Sequence, residues 1–124
     1  MKGVVINPEK DGKRFTRGSA EEKSLREIGL FIDKELVNSD QFVGGLATFP
    51  PGAMAPSHTH PDAEEINIVL EGEGDFITPG RTQFVKKGDW QFIPKGAEHS
   101  HRNTGKGPFT IVWLYSPPTK SVPK

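Results

Sequence analysis

The chain has 124 residues, a length that suits one domain with one hydrophobic core. Its 16 basic and 16 acidic residues balance to zero net charge, which argues against a nucleic-acid partner, and no basic amphipathic stretch suggests a membrane partner. The absence of cysteine excludes disulfides and thiolate metal sites, so any bound metal needs nitrogen and oxygen ligands.

The N-terminal residues contain only a short apolar run, at residues 4–6. Such a run is too short for the hydrophobic region of a secretory signal, and no segment reaches transmembrane length. We therefore expect a cytoplasmic protein that forms a single domain over residues 1–124.

Glycine and proline, with 14 and 11 residues, interrupt the chain every few positions from residue 44 onwards. Short apolar runs between such turn signals are typical of antiparallel strands in a sandwich or barrel. A helical protein would not tolerate this many helix breakers. The composition therefore predicts an all-β fold.

The N-terminal third of the chain gives weaker patterns. Residues 1–24 are polar and mixed, and they predict an irregular arm with one short strand at residues 4–6 and a candidate helix N-cap at Ser19. In residues 25–36 the apolar side chains recur at helical spacing, yet part of the segment also alternates as a strand does. Gly29 weakens a helix there, so the strand is favoured.

The rest of the chain is predicted to be a series of strands that turns separate. Residues 37–116 are assigned to the barrel, and residues 117–124 to a surface or disordered tail. Gly44 and Gly45 fall inside the first strand, where they indicate a bend or a close backbone approach. The predicted strands cover residues 41–49, 65–70, 75–78, 82–85, 90–93, 98–102 and 109–115.

Three histidines and one glutamate form a candidate metal site. His58 and His60 are two residues apart, which places both side chains on one face of an extended segment, and Glu65 follows after a predicted turn. His99 lies on a separate strand, so the four residues meet only if the barrel closes. Neutral imidazoles with a carboxylate suit iron, manganese, nickel, copper or zinc.

Two spaced motifs connect these residues to a known family. The first, G-x5-H-x-H-x4-E-x6-G, runs from Gly52 to Gly72, and the second, G-x5-P-x-G-x2-H-x3-N, runs from Gly88 to Asn103. Every fixed position is matched in both. The two segments resemble the two signature motifs of the cupins.

This resemblance implies a double-stranded β-helix, a jelly-roll barrel with one metal ion inside. The family's ligands carry over to His58, His60, Glu65 and His99. The motif spacing favours Glu65 as the ligand over its neighbour Glu64. Manganese or iron is the expected metal, with zinc, nickel and copper as alternatives. The resemblance also suggests a homodimer, for which residues 1–36 are the candidate interface.

Two further polar residues share strand parity with the predicted ligands. His101 alternates with His99, so it is either an acid–base group near the metal or a packed, hydrogen-bonded imidazole. Asn67 alternates with Glu65, so it either donates to a substrate oxygen or is a buried amide that the backbone satisfies. Both are candidate pocket residues, and His101 is the candidate catalytic residue.

Other side chains allow weaker statements. Most aromatic residues from Phe42 to Tyr115 are expected in the core, and some of them in the wall of an apolar pocket. Arg81 and Arg102 either steer an anionic substrate or are solvated beside turns.

These observations favour a metal-dependent enzyme that acts on a small oxygenated or carboxylated molecule. Dioxygenase or oxalate-decarboxylase-like chemistry comes first, and a Lewis-acid isomerase or lyase second. The alternative from another class is a non-catalytic binding or sensing barrel with a structural metal. An inward His101 beside an open coordination position would favour the enzyme, whereas four ligands that close tetrahedrally on zinc would favour the structural role.

Overall fold

The computed structural model describes residues 2–118, which form nine strands and one helical turn. The elements are β1 (Lys13–Arg17), β2 (Arg26–Ile32), α1 (Lys34–Val37), β3 (Val43–Phe49), β4 (Glu64–Glu71), β5 (Glu73–Thr78), β6 (Arg81–Lys86), β7 (Trp90–Ile93), β8 (Ser100–Asn103) and β9 (Phe109–Ser116). The predicted all-β class is confirmed. Among the described residues, no helix has the length and apolar character needed to cross a membrane.

The strands form two antiparallel sheets of the jelly-roll type. The larger sheet has six strands in the order β1-β2-β3-β9-β4-β7, and the smaller sheet has three in the order β6-β5-β8. Strands that are distant in sequence, such as β4 and β9, are therefore neighbours in the sheet. The core includes buried residues of both sheets, among them Ala47 and Ile111 from the larger sheet and Phe76 from the smaller one.

Strand β9 positions the interior of the barrel. Its burial alternates strictly, with Phe109, Ile111, Trp113 and Tyr115 buried. Because alternate side chains of a strand lie on one face, these four residues line the inside of the larger sheet. The register between β9 and β4 pairs Tyr115 with Glu65, so the predicted ligand Glu65 lies within the barrel.

The N-terminal arm differs in part from its prediction. The strand expected at residues 4–6 is wrong, because these residues pair with no strand in the described part of the chain and Val5 is 97% exposed. The first strand is β1 instead. The helix expected after Ser19 is also wrong, since the segment is a turn in which the Ser19 hydroxyl accepts from the Glu22 amide at 3.2 Å.

Residues 25–36 follow the favoured strand prediction for most of their length. Strand β2 ends at Ile32, and one helical turn, α1, follows, with the Asp33 carboxylate accepting from the Leu36 amide at 2.7 Å. The competing helical pattern therefore corresponds to a single capped turn. The predicted tail falls largely on residues 119–124, which lie outside the described residues.

The close backbone approach predicted at Gly44 and Gly45 is confirmed. A Cβ atom on Gly45 would overlap the carbonyl oxygen of Gly29 on β2, at the place where the pairing of the two strands shifts register. A Cβ atom on Gly44 would instead meet the end of the Leu114 side chain at 2.7 Å. Only glycine lets β3 pass this close to β2.

Five of the nine aromatic residues from Phe42 to Tyr115 are buried, as expected for most of them, and four are exceptions. Trp90 is 70% exposed, and the other three, Phe42, Phe84 and Phe92, are also exposed. Trp90 and Phe92 lie on the outer face of β7, an edge strand, while Gln91 and Ile93 between and beside them are buried. Strand parity, rather than residue type, decides burial here.

Candidate metal centre

The four predicted ligands meet inside the barrel. One ligand atom from each residue lies within 4.8 Å of all the others. The Nε2 atoms of His60 and His99 lie 3.1 and 3.2 Å from Oε1 of Glu65. These three side chains are buried, whereas His58 is partly exposed, so the centre is nearest to solvent on the His58 side.

A backbone pairing between two loops brings the histidines together. His58 and His99 form an isolated antiparallel bridge in which each amide donates to the other's carbonyl, at 3.1 and 3.0 Å. The chain then turns after His60, whose carbonyl accepts from the amides of Ala63 at 3.3 Å and Gly96 at 3.1 Å. These bonds hold the first motif against the second, independently of the sheet ladders.

Two of the histidines have a fixed tautomer. Nδ1 of His58 lies 2.9 Å from the carbonyl oxygen of Pro56, and Nδ1 of His99 lies 2.9 Å from that of Ala97. Because a carbonyl oxygen only accepts, each Nδ1 must carry the proton. In the neutral rings this leaves the Nε2 lone pairs for a metal, and such second hydrogen bonds are typical of metal-binding histidines.

Asn67 orients the carboxylate. Its side-chain nitrogen donates to Oε2 of Glu65 at 2.8 Å and to the carbonyl of Ile66 at 3.1 Å. Oε1 of Glu65 is the oxygen that lies beside the imidazoles, whereas the neighbouring Glu64 is exposed. Asn67 is thus a buried amide, as one of its two interpretations predicted, and its hydrogen bond gives it an orienting role.

Asn67→Ala is expected to lower metal affinity by about 10- to 100-fold, because the loss of a residue that orients a ligand typically has this effect. Competitive titration against a chelating dye measures the affinity. Val69→Ala is the matched control, since Val69 is buried on the same face of β4. Equal metal affinity in the two variants would contradict the orienting role.

The residues fit a divalent transition metal. The buried Nε2 atoms of His60 and His99 have no hydrogen-bond partner among residues 2–118, although both lie close to Glu65. Buried polar atoms are normally satisfied, so these two nitrogens fit the role of metal ligands. Three imidazoles and one carboxylate would hold manganese, iron, nickel, copper or zinc.

His101 lies inside the barrel, as parity predicted. Its Nε2 is 2.8 Å from Oε1 of Gln91, and the Gln91 side-chain nitrogen donates to the carbonyl of Asp89 at 3.1 Å. Because Oε1 of Gln91 can only accept a hydrogen bond, Nε2 of His101 is the donor. The ring also packs against Phe76, with centroids 5.1 Å apart. Its catalytic role stays a prediction.

Tyr115 is a site residue that the sequence did not single out. Its ring stacks on His60, with centroids 4.8 Å apart. Burial, and then the negative charge of Glu65, raises the pKa of Tyr115 to about 12. The phenol is therefore neutral near pH 7. Only the register between β4 and β9 places it there, and a single sequence does not give this register.

The only tyrosine of the chain offers a direct pH test. In metal-free protein the ultraviolet titration of Tyr115 should have its midpoint near pH 12 instead of the usual 10, because burial and Glu65 raise its pKa. Tyrosine in the unfolded chain ionises first, so the contribution of Tyr115 to stability should be constant below pH 10 and should be lost between pH 10 and 12. A midpoint near 10 in folded protein would contradict this environment.

The two candidate arginines behave as surface residues. Arg102 forms an ion pair with Asp75 at 2.7 Å, and the two residues are partners across β5 and β8. Arg81 is exposed at the start of β6. The solvated interpretation therefore fits both better than substrate steering.

Sequence comparison connects the chain to a known family. A family model described as a cupin domain matches residues 45–115. Nectarin-1 from Nicotiana plumbaginifolia is 37% identical over 83 residues, which cover 60% of this chain and 36% of that protein. Germin-like protein subfamily 2 member 2 from Arabidopsis thaliana is 38% identical over 82 residues, which cover 60% of this chain and 37% of that protein. The chain thus spans little more than a third of the length of these relatives.

Solved structures share the fold. A predicted oxalate decarboxylase from Thermotoga maritima superposes with a TM-score of 0.77 at 24% identity, covering 93% of this chain and 100% of that chain. The polyketide cyclase RemF from Streptomyces resistomycificus gives a TM-score of 0.77 at 23% identity, covering 97% of this chain and 83% of that chain. At these identities the likeness concerns the fold alone.

Proposed function

Because this chain belongs to the cupin domain family, we propose that it is a metal-dependent enzyme that acts on a small oxygenated or carboxylated molecule. The observation that supports this most is the convergence of the unsatisfied Nε2 atoms of His60 and His99 on Oε1 of Glu65. A bound divalent metal would supply Lewis-acid or redox chemistry at this point.

The electrostatics of the site favour an anionic oxygen ligand. One carboxylate against a divalent cation leaves a net charge of about +1 if the imidazoles are neutral. Four protein ligands are fewer than octahedral metals accept, so positions for the substrate remain. The partly exposed His58 side is the direction from which a small molecule can approach.

The chain's own residues would bind and orient that substrate. The neutral phenol of Tyr115 adds no charge beside His60, so it does not oppose an anionic substrate. Trp113 is fully buried next to Tyr115, and its indole N–H has no hydrogen-bond partner among the described residues. This donor would stabilise an oxygen atom inside the barrel. His101, held by Gln91, is the proposed acid–base group.

The choice of substrate class draws on the comparisons. One structural neighbour is described as a predicted oxalate decarboxylase, so cleavage of a small dicarboxylate is the first reaction to test. Oxygen-dependent cleavage of a diketone or catechol-like molecule is the second. An isomerase or lyase reaction would use the metal only as a Lewis acid.

The decisive experiment is metal analysis of untagged protein, followed by removal of the metal, reloading with each candidate metal and turnover assays of each reloaded form. About one equivalent of iron or manganese, with turnover of oxalate or a diketone that His101→Gln reduces, would support the enzyme. Folded protein that contains no metal and cannot be reloaded would contradict it. One equivalent of bound zinc without turnover of any substrate would favour the alternative, a binding or sensing barrel with a structural metal.

We further propose a homodimer, with residues 1–36 at its interface. This segment includes β1, an edge strand of the larger sheet, and exposed edges are often covered by a partner. Light scattering at micromolar concentration measures the mass. A monomeric mass for the 124-residue chain would contradict the proposal.

A further inference from the structure

Two arginines face each other at the end of the larger sheet remote from the metal centre. Arg17 ends β1, Arg26 begins β2, and the two residues are direct partners in the antiparallel pairing. This end of the sheet carries Phe49, whereas the opposite end carries Tyr115. Like charges directly opposite each other on neighbouring strands are destabilising. The repulsion between Arg17 and Arg26 therefore requires a compensating interaction.

The charges of both arginines lack a counter-ion. None of the ion pairs formed within residues 2–118 includes Arg17 or Arg26. Arg26 is only 9% exposed, and its one hydrogen bond in this part of the chain goes to the carbonyl of Ser24 at 2.9 Å. Arginine is rarely buried this far unless it is paired.

Each guanidinium also keeps an unsatisfied donor. The Nε atoms of Arg17 and Arg26 are both buried without a hydrogen-bond partner among the described residues. The Arg17 guanidinium lies over the Phe15 ring, 4.8 Å from its centroid, a contact that uses the face of the group and not its N–H donors. Two arginines at paired strand positions, each with an open Nε donor, match the oxygens of a carboxylate or a phosphate.

The surroundings are fixed before any ligand arrives. The turn between β1 and β2 is braced by the hydrogen bond from the Ser24 amide to the Ser19 carbonyl at 3.0 Å. A surface pocket of about 470 Å³ has Arg26, Glu27 and Lys106 in its lining, so solvent reaches the Arg26 side of the pair. Burial, and then the charge of Arg17, lowers the pKa of Arg26, as expected when no anion is nearby.

We propose that Arg17 and Arg26 form a binding site for a small oxyanion, separate from the metal centre. The anion would lie between the two guanidiniums, remove their mutual repulsion and accept the unused N–H groups. Phosphate and carboxylate share this chemistry. Neither residue belongs to the proposed catalytic site, and both lie within residues 1–36, the segment proposed for the dimer interface. The anion would therefore act as a stabilising or regulatory ligand at that interface.

The test measures the thermal unfolding of the metal-free 124-residue chain in inorganic phosphate. The comparison is unfolding in sodium chloride at equal ionic strength. Removal of the metal takes away the cation that would bind an anion at the metal centre. Ligand that binds only the folded state raises the melting temperature in proportion to the logarithm of its concentration. We expect phosphate to do so in the wild-type protein, and acetate in a parallel series tests the carboxylate.

Arg17→Gln and Arg26→Gln should each weaken phosphate binding by about tenfold or more, because each removes charged donors. Arg14→Gln is the matched control, since Arg14 lies on the same strand and its guanidinium also lies over a ring, that of Phe31. The readout is the phosphate-dependent rise in melting temperature. If the arginines had a purely structural role, their substitution would leave this rise unchanged, even where it lowered the melting temperature without phosphate. Arg17 is partly exposed, so its variant remains informative if Arg26→Gln does not fold.

Two results would overturn the proposal. One is a wild-type protein that neither phosphate nor acetate stabilises beyond chloride. The other is an equal phosphate response in all three variants. A response to acetate alone would support the site and assign it to carboxylates, whereas a response to phosphate alone would assign it to phosphate.

Discussion

His99→Ala is expected to lower metal affinity by at least ~100-fold, because even the loss of a residue that only orients a ligand typically costs 10- to 100-fold. His99 is fully buried, and its Nε2 lies 3.2 Å from Oε1 of Glu65. Its bridge to His58 uses backbone atoms, so the substitution should remove the ligand atom and keep the loop pairing. Metal content after dialysis and competitive titration measure the effect.

His101→Gln provides the matched control for this prediction. His101 is a buried histidine two residues further along the same segment, and its ring nitrogen is hydrogen-bonded to Gln91. This variant should retain its metal while its turnover falls. If His101→Gln lost the metal and His99→Ala kept it, the assignment of the ligands would be wrong.

Gly45→Ala is expected to lower the free energy of unfolding by more than ~2 kcal/mol, since overpacking that forces the backbone to move costs about 1–3 kcal/mol or more. The added Cβ would overlap the carbonyl oxygen of Gly29, which cannot rotate away as a side chain can. Urea unfolding of metal-free protein measures the loss and separates it from any effect of metal binding.

Gly44→Ala tests whether the position, rather than the residue type, causes this loss. At Gly44 the nearest atom is the end of the flexible Leu114 side chain, at 2.7 Å. This variant should therefore be clearly more stable than Gly45→Ala. Equal losses of stability would mean that alanine destabilises this strand at either position. The contact with Gly29 would then not be the cause.

Local spacing predicted the barrel strands, whereas the four candidate ligands came from the two motifs that resemble the cupin signatures. Strand β7 has the predicted bounds, and His58 and His60 share one face of an extended segment, as their separation of two residues requires. One ligand atom from each of the four residues lies within 4.8 Å of the others, which also requires the pairing of His58 with His99.

The remaining features depend on long-range register, which one sequence does not reveal. Tyr115 contacts His60 only because β9 lies beside β4, and Arg17 opposes Arg26 only because β1 pairs with β2 in one register. The apolar run at residues 4–6 failed as a strand for the related reason that no described strand pairs with it. Local propensity supplies strands, whereas pairing decides which side chains meet.

The loop pairing at the metal centre has a consequence for metal exchange. Pro56-Ser57-His58 and Ala97-Glu98-His99 are two tripeptides that brace each other, and the Ser57 hydroxyl donates to the Glu98 carboxylate at 2.7 Å. Each of these two histidines is anchored inside its own tripeptide, so the orientation of these two ligands does not depend on the ion. Little reorganisation should accompany loading, and one ion should replace another without unfolding the barrel. The metal found in the purified protein would then reflect supply during synthesis as much as intrinsic preference.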